Sequence, residues 1–310
     1  MSRRSVSPAA GVPVENLRHG LVVAAFGRQY LVESDEGGLI SCFTRGKRSD
    51  VACGDRVSFA MTSDGGSAKH QGIIESIAPR ASLFRRAAAH RTKLIAANAT
   101  QIALVVAGEP SFSDELLCRA LAAAEREGMR AFIALNKIDL GAATDAARSR
   151  LAPFAQAGYD VVELSAQHDV APLRDRLAGA MTVLLGQSGM GKSTIVNALA
   201  PEANAATREI SHFLDSGKHT TTHARLYRLD ARTTLIDTPG LQEFGLAHLT
   251  RTEIEAGFIE VRPVLGHCRF PDCRHVTEPG CTVREAVTAG RVHPRRFELM
   301  QRILAAEAAR

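Results

Sequence analysis

One run of residues in the middle of the sequence has the composition and spacing of a phosphate-binding loop. Residues 186–193, GQSGMGKS, fit the pattern GxxxxGK[ST] between a strand-like run, TVLLG, and a helix-like run, TIVNALA. Glycines let the backbone N–H groups point at a phosphate, at torsion angles that a β-carbon would oppose. Lys192 would reach the β and γ phosphates, and Ser193 would supply a hydroxyl to Mg²⁺. The predicted contacts with the nucleotide are Gly186, Gln187, Ser188, Gly189, Met190, Gly191, Lys192, Ser193 and Thr194.

A second motif, NKID at 136–139, follows the apolar run AFIALN, which places it at the carboxyl edge of a predicted sheet. The carboxylate of Asp139 can accept hydrogen bonds from the ring N–H and the exocyclic amine of guanine, a pair of donors that adenine does not have. Asn136 would steady the loop, and the stem of Lys137 would lie across the ring. Ser165 and Ala166, after the run DVVEL, would bring a backbone N–H to the guanine oxygen. Alone the four-residue match is typical of a surface turn, but beside a phosphate loop it predicts a guanine-nucleotide site.

The run DTPG at 237–240 ends another strand-like run, RTTLID. Asp237 is placed to hold Mg²⁺ through water, and the N–H of Gly240 to sense the γ-phosphate. Upstream, GKHTTT at 217–222 offers hydroxyls to the same ion; we expect Thr221 to be the ligand, with Thr220 and Thr222 not separated from it by the sequence. A Thr-rich loop entering a strand is the alternative for this run. The predicted magnesium ligands are Ser193, Thr221 and Asp237.

Three of the six cysteines crowd around one histidine near the end of the chain. Cys268, Cys273, His275 and Cys281 supply the thiolates and imidazole of a tetrahedral Zn²⁺ site. Four protein ligands leave no position for a water molecule, so we predict a structural zinc ion and no zinc hydrolase. Unbonded cysteines beside a chance histidine are the alternative. His267 would point away from Cys268 in an extended segment.

The order of the motifs is unusual for a nucleotide hydrolase. In ordinary small GTPases the phosphate loop comes first and the base motif near the end, whereas here the base motif at 136–166 precedes the phosphate loop at 186–193. This order predicts a circularly permuted GTPase, in which the same strands form the sheet but follow one another in a shifted order along the chain. The DTPG segment then leads directly into the cysteine cluster, so a nucleotide-dependent shift there should move that module.

The patterns around these motifs predict a multidomain protein with an α/β core. Short alternating runs from Leu17 to about Ile77 are typical of a small β-barrel, and the strand-like runs that follow alternate with Ala-rich helical stretches, as in a parallel sheet. We predict a disordered N-terminus (1–16), a barrel (17–77), a basic linker (78–93), a GTPase domain (94–247) and a zinc-binding domain that ends in helices (248–310).

Composition and charge limit the function classes. Of 310 residues, 45% are hydrophobic and 23% charged, which is ordinary for globular domains and excludes wholesale disorder. The longest apolar runs, such as residues 102–107, are too short for a membrane helix, and we expect a cytoplasmic protein without a membrane partner. The net charge is +5, and residues 1–93 hold 14 Lys and Arg against 8 Asp and Glu. This excess favours a polyanionic partner, with a solvated basic surface as the alternative.

The sequence resembles the ribosome small subunit-dependent GTPases, bacterial assembly factors, over roughly residues 17–305. The resemblance rests on GQSGMGKST, GKHTTTH, LIDTPGLQEFGLAHL and CRFPDCRHVTEPGC in that order. It implies an N-terminal OB-fold barrel, a permuted GTPase core and a zinc module. It also implies binding to the small (30S) ribosomal subunit and its 16S rRNA in late maturation, with slow GTP hydrolysis that the subunit stimulates. Thr100 and the run CRAL at 118–121 depart from the pattern of the family, outside the nucleotide motifs.

The residue after DTPG bears on the rate of hydrolysis. Ordinary GTPases place a Gln there to align the attacking water, but here the position is Leu241, which has no polar atom in its side chain. We therefore expect slow intrinsic hydrolysis. His219 resembles the family histidine proposed to orient the water, and together with Lys192 and Thr221 it completes the predicted catalytic set; an exposed loop histidine is the alternative.

Basic side chains of the barrel and linker are candidates for contacts with RNA phosphates: Arg28, Arg45, Lys47, Arg48, Arg85, Arg86, Arg91 and Lys93. Arg291, Arg295 and Arg296 would form a second contact. Core packing is the favoured role for Phe43, and Tyr30 remains open between core packing and base stacking. The rival to a GTP hydrolase is an RNA-binding maturation chaperone for which GTP is only an affinity ligand. A monomer suits either function.

Overall fold

The computed structural model describes residues 17–46, 50–62, 71–88, 91–201 and 223–309. The predicted disordered N-terminus (1–16) lies outside the described residues, as do Lys47 and Arg48. The run GKHTTT at 217–222, with His219 and Thr221, also lies outside them. None of the described helices is both long and apolar enough to span a membrane.

Five strands close into a barrel: β1 (Arg18–Phe26), β2 (Gln29–Ser34), β3 (Leu39–Thr44), β4 (Arg56–Met61) and β5 (Gln71–Ile77). Their order is β1-β2-β3-β5-β4, and β4 returns to pair with β1. The predicted OB-type barrel is therefore confirmed. Tyr30 is buried in its core, whereas Phe43 is 36% exposed, so the prediction that Phe43 packs in the core is wrong. The reason is the alternation of β3, which turns Ile40 and Cys42 inward and Phe43 outward.

A second set of strands forms the α/β core: β8 (Gln101–Ala107), β9 (Arg130–Asn136), β10 (Val161–Glu163), β11 (Met181–Leu185), β12 (Ala224–Arg228) and β13 (Thr234–Asp237). Their order is β10-β9-β8-β11-β13-β12, and β12 alone of these runs antiparallel. Every residue of β8 is buried, as expected for a central strand covered on both faces. The helices described beside this sheet are α1 (Asp114–Arg126), α2 (Ala142–Gln156), α3 (Ala171–Leu177) and α4 (Lys192–Leu199).

The segment at 78–93, predicted as a linker, contributes instead to a β-hairpin. Strands β6 (Leu83–Ala88) and β7 (Arg91–Ala97) pair antiparallel, with a register shift between Phe84 and Arg85. Phe84 is fully buried and its ring lies 5.7 Å from that of Phe244. The sequence hid these strands because the shift breaks the alternation of apolar residues, and because two half-buried arginines, Arg85 and Arg86, directly follow the buried Phe84.

The barrel and the α/β core form one continuous sheet. Strand β1 pairs antiparallel with β12 through Ala24 and Arg225, and Ala25 and Ala224. The ring of Phe26, at the end of β1, lies edge-on to His223 at 5.1 Å between centroids. His223 directly follows the run at 217–222, so the strand that leaves the predicted switch loop is hydrogen-bonded to the barrel.

The C-terminal helices α5 (Arg251–Ala256), α6 (Thr282–Thr288) and α7 (Pro294–Ala308) pack against the core, where α5 and α7 contact α1. Arg296 of α7 is 1% exposed, forms an ion pair with Glu260 at 2.7 Å, and lies over the rings of Phe154 and Phe258. The prediction that Arg296 contacts RNA is therefore wrong. Its guanidinium also donates to the Sγ of Cys118, one of the positions that depart from the family pattern.

Candidate nucleotide site and metal centre

The predicted nucleotide residues come together because parallel strands end at one edge of the sheet. Asn136 is the last residue of β9, Asp237 is the last of β13, and the phosphate loop follows β11 directly. Ser165 lies just beyond β10. These four strands run in the same direction, so their carboxyl ends share the edge where open α/β sheets bind ligands.

The phosphate loop is tightly built around its last glycine and its lysine. Gly191 has a φ of +89°, and a β-carbon there would lie 2.3 Å from the side-chain nitrogen of Asn136, so only glycine fits. The Nζ of Lys192 donates to the carbonyl oxygens of Gly186 at 2.8 Å and Gln187 at 3.0 Å. Burial lowers the pKa of Lys192, partly offset by the charge of Asp237. The loop thus holds a buried cation beside the N-terminus of α4, an arrangement that attracts phosphate.

Asn136 connects the three parts of the site. Its Nδ2 donates to the carbonyl of Met190 at 3.0 Å, and its Oδ1 accepts from the N–H of Ala166 at 3.0 Å. The hydroxyl of Ser165 donates to Asp139 Oδ1 at 2.5 Å. This hydrogen bond is the main reason that the pKa of Asp139 is lower than usual. Asp139 is therefore held in place as a carboxylate, the form that accepts hydrogen bonds from guanine.

The base motif and the last part of the phosphate loop line one pocket of about 520 Å³, a size typical of small-molecule sites. Its walls include Asp139 and Ser165 at one end and Gly191 and Thr194 at the other. The base motif and the end of the phosphate loop thus share a cavity although their order in the chain is reversed. The sequence did not single out Glu109, which also lines the pocket, although it follows the end of β8 as NKID follows β9.

Asp237 has the environment of a cation ligand. It is 4% exposed, and its Oδ1 has no hydrogen-bond partner among the described residues. Burial raises its pKa to about 6, while the ammonium of Lys192 opposes that rise. A divalent cation would compensate this unpaired buried oxygen, so the residues present fit Mg²⁺. Ser193, the second predicted ligand, lies exposed in the first turn of α4.

The segment after Asp237 lies directly against the phosphate loop. The N–H of Leu241 donates to the carbonyl of Gly186 at 3.0 Å, and Leu241 pairs with Gln187 in a short parallel bridge. A β-carbon on Gly240 would lie 3.2 Å from the backbone nitrogen of Ser188. A γ-phosphate on this loop would therefore be close to the segment that leads to the C-terminal helices.

The four predicted metal ligands also converge. One ligand atom each from Cys268, Cys273, His275 and Cys281 lies within 4.8 Å of the others, so the cluster can hold one metal ion. His275 Nδ1 is 3.3 Å from the Sγ of Cys281. Its Nε2 faces Glu255 of α5 at 3.6 Å, which leaves Nδ1 for the metal. The sequence does not single out Glu255, because a carboxylate 20 residues from His275 carries no local signal for this role.

Comparison with known proteins identifies the family of the chain. A model of the RsgA GTPase family matches residues 77–247. The chain is 52% identical over 290 residues to the small ribosomal subunit biogenesis GTPase RsgA of Burkholderia pseudomallei (strain 668), covering 92% of this chain and 91% of that protein. The chain belongs to the RsgA GTPase family.

Other members and structures agree with this assignment. The protein of the same name from Nitrosospira multiformis is 48% identical over 286 residues, covering 92% of this chain and 90% of that protein. The crystal structure of YjeQ from Thermotoga maritima is 28% identical with a TM-score of 0.69, covering 95% of this chain and 99% of that one. YloQ, a circularly permuted GTPase, has the same fold at 24% identity and a TM-score of 0.66, covering 97% and 98%. The predicted permutation is confirmed.

As an RsgA GTPase, the chain is a GTP hydrolase with an apolar residue at the position after DTPG. Leu241 is 4% exposed and its backbone is fixed to the phosphate loop, so its side chain provides no group to align a water molecule. The group that does so must come from another segment or from a partner, and His219 lies outside the described residues.

The raised pKa of Asp237 leads to a stability prediction for this RsgA GTPase. A raised folded-state pKa means that ionisation destabilises the fold, so the penalty grows as pH rises through about 6. Asp237→Asn removes the charge. Without nucleotide, the free energy of unfolding of Asp237→Asn, relative to that of the wild type, should rise by about 1.4 kcal/mol between pH 5 and 7.5. Urea unfolding at the two pH values measures this difference.

The exposed Asp175 of α3 offers a matched control, because Asp175→Asn should show no such dependence. Adding Mg²⁺ and GDP should then stabilise the wild type more than Asp237→Asn, since the cation needs the carboxylate. A stability difference that stays constant between pH 5 and 7.5 would contradict the assigned environment of Asp237.

Proposed function

We propose that the protein hydrolyses GTP in the late maturation of the small (30S) ribosomal subunit. The observation that carries the proposal is the single pocket in which the carboxylate of Asp139 and the end of the phosphate loop face one cavity. Relatives about half identical to this chain over more than nine tenths of its length are named small ribosomal subunit biogenesis GTPases. The segment at 78–93, which carries five Lys and Arg and no Asp or Glu, supports a ribosomal partner.

In this site the base end selects guanine and the loop end holds the phosphates. Asp139 accepts from the guanine ring, and Asn136 links the phosphate loop to the loop after β10. The N–H of Ala166 would exchange Asn136 Oδ1 for the guanine oxygen when the nucleotide binds. Lys192 exchanges its two carbonyl partners for the β and γ phosphates. Ser193, Asp237 and Thr221 would hold Mg²⁺, and the ion would supply positive charge beside the transferred phosphate. His219 orients the attacking water.

The Cys/His cluster holds one structural zinc ion. Its donor set of three thiolates and one imidazole is typical of Zn²⁺, and Glu255 behind His275 supports the imidazole orientation. The ion fixes the loops around α6, which contain few buried apolar residues of their own.

The barrel contacts 16S rRNA through its outer face. Phe43 is exposed on β3, and Arg28 and Lys93 are exposed cations of the barrel and of the hairpin. Arg45 is paired with Glu75, and Arg86 donates to the carbonyl of Glu243, so those two are less available to phosphates. We place the protein in the cytoplasm as a monomer that binds the subunit.

Multiple-turnover hydrolysis with and without purified small subunits tests the proposal. We expect slow release of phosphate alone, because Leu241 aligns no water, and stimulation of at least about tenfold by the subunit. His219→Ala should retain binding of GTP and lose the stimulation. Full stimulated turnover in this variant would remove the catalytic role of His219.

A second candidate, favoured by the apolar Leu241, is an RNA-binding maturation chaperone for which GTP is only an affinity ligand. Unchanged turnover on addition of subunits would favour this function. A salt series separates binding to the subunit from hydrolysis by the bound protein. Binding through RNA phosphates weakens steeply with salt, whereas turnover by bound protein does not.

A further inference from the structure

The loop between β8 and α1 forms part of the wall of the nucleotide pocket and is held by both nucleotide motifs. The Nζ of Lys137 donates to the carbonyl oxygen of Glu109 at 2.9 Å. Pro110 lies against the phosphate loop, 2.9 Å from the position that a β-carbon on Gly189 would take. The N–H of Ser113 donates to Gln187 Oε1 at 2.6 Å. The position of residue 109 is thus set by the residues that bind the ligand.

Glu109 lines the pocket and its side chain is exposed to it. Within the described part of the chain its carboxylate takes part in no hydrogen bond or ion pair. By contrast, the carboxylate of Asp139 already accepts a hydrogen bond from the hydroxyl of Ser165. An acceptor-only group held in a ligand pocket without a partner is suited to a ligand that donates hydrogen bonds.

A guanine nucleotide offers only a few donors. The ring N–H and the amine face Asp139, and the phosphates repel a carboxylate. The remaining donors are the ribose hydroxyls, which lie between base and phosphates. The Glu109–Pro110 segment likewise connects the two motifs, because Lys137 donates to the Glu109 carbonyl and Pro110 lies against Gly189. Carboxylates bind ribose hydroxyls in other nucleotide folds. We infer that Glu109 accepts hydrogen bonds from the ribose hydroxyls and selects ribonucleotides over deoxyribonucleotides.

This inference rests on the proposed binding of guanine nucleotides, and calorimetry with GDP, 2′-deoxy-GDP and 3′-deoxy-GDP tests it. The wild type should bind GDP about tenfold more tightly than at least one deoxy analogue, as expected for one hydrogen bond to an exposed charged group. In Glu109→Ala that ratio should fall to within about twofold. Glu109→Gln, which keeps an acceptor without the charge, should give an intermediate ratio.

Glu109→Ala should leave the loop intact, because the hydrogen bond from Lys137 is accepted by the backbone oxygen of residue 109. Asp175→Asn, which removes an exposed carboxylate of α3 outside the pocket lining, is the control and should keep the wild-type ratio. The inference is overturned if the wild type does not discriminate, if Glu109→Ala still does, or if the control loses discrimination equally. Absence of binding by any of the three nucleotides to the wild type would overturn the proposed function as well.

Discussion

Asp139→Asn should change the base preference of the pocket from guanine to xanthine. The carboxylate accepts from two guanine donors, whereas the amide of Asn places an NH₂ group against one of them. Xanthine carries a carbonyl oxygen where guanine carries the amine, so it can accept from that NH₂ group. We expect the affinity for GDP to fall on the order of 10³-fold, since two hydrogen bonds to a charged acceptor are lost. The affinity for xanthosine diphosphate should then exceed that for GDP. Competition between the two nucleotides measures the change.

The contacts of Asp139 make this test specific. Ser165 donates to one oxygen of Asp139, and the Oδ1 of Asn can accept the same hydrogen bond, so the side chain should keep its orientation. Asp175→Asn is again the matched control and should leave both affinities unchanged. Loss of GDP binding without any gain for xanthosine diphosphate would mean that Asp139 supports the loop rather than the base.

The sequence predicted which residues of the candidate nucleotide site lie together, because the signals are local. A phosphate loop needs its glycines and lysine within eight residues, and Asn136 and Asp237 each end an apolar strand-like run. Parallel strands then bring these ends together without further information from the sequence. The reversed order of the motifs did not obscure the site, because pairing in the sheet does not depend on where the chain is cut.

Exposure of single side chains was harder to predict, because it depends on tertiary packing. Arg296 appears in the sequence as one of several basic residues, but Glu260 and two aromatic rings bury it. Phe43 appears as a core residue, but its place in β3 turns it outward. The hairpin at Leu83–Ala88 was missed for the same reason, since its burial comes from contacts such as that with Phe244, far along the chain.

Cys281→Ala should remove the bound metal and unfold the loops of the cluster. Structural zinc contributes about 10–16 kcal/mol in small modules, more than the loops here can replace from their own core. Cys281 precedes α6, whose buried residues are only Val283 and Ala286, so α6 should lose its start when the metal is lost. We expect the zinc content to fall from one ion per chain to none. Hydrogen exchange in residues 267–289 should accelerate by orders of magnitude.

Cys281→Ala should disrupt the Cys/His cluster without disrupting the nucleotide site. Binding of GDP should stay within about twofold of wild type, because Arg296 and Glu260 still anchor α7 to α1 and α2. The proposed stimulation by the small subunit should be lost, because the DTPG segment leads into helix α5, whose Glu255 faces His275, a proposed ligand of the metal. Cys42→Ala, at a buried cysteine of the barrel, is the control and should keep one zinc ion. Slow exchange in 267–289 despite loss of zinc would mean that apolar packing, rather than the metal, holds these loops.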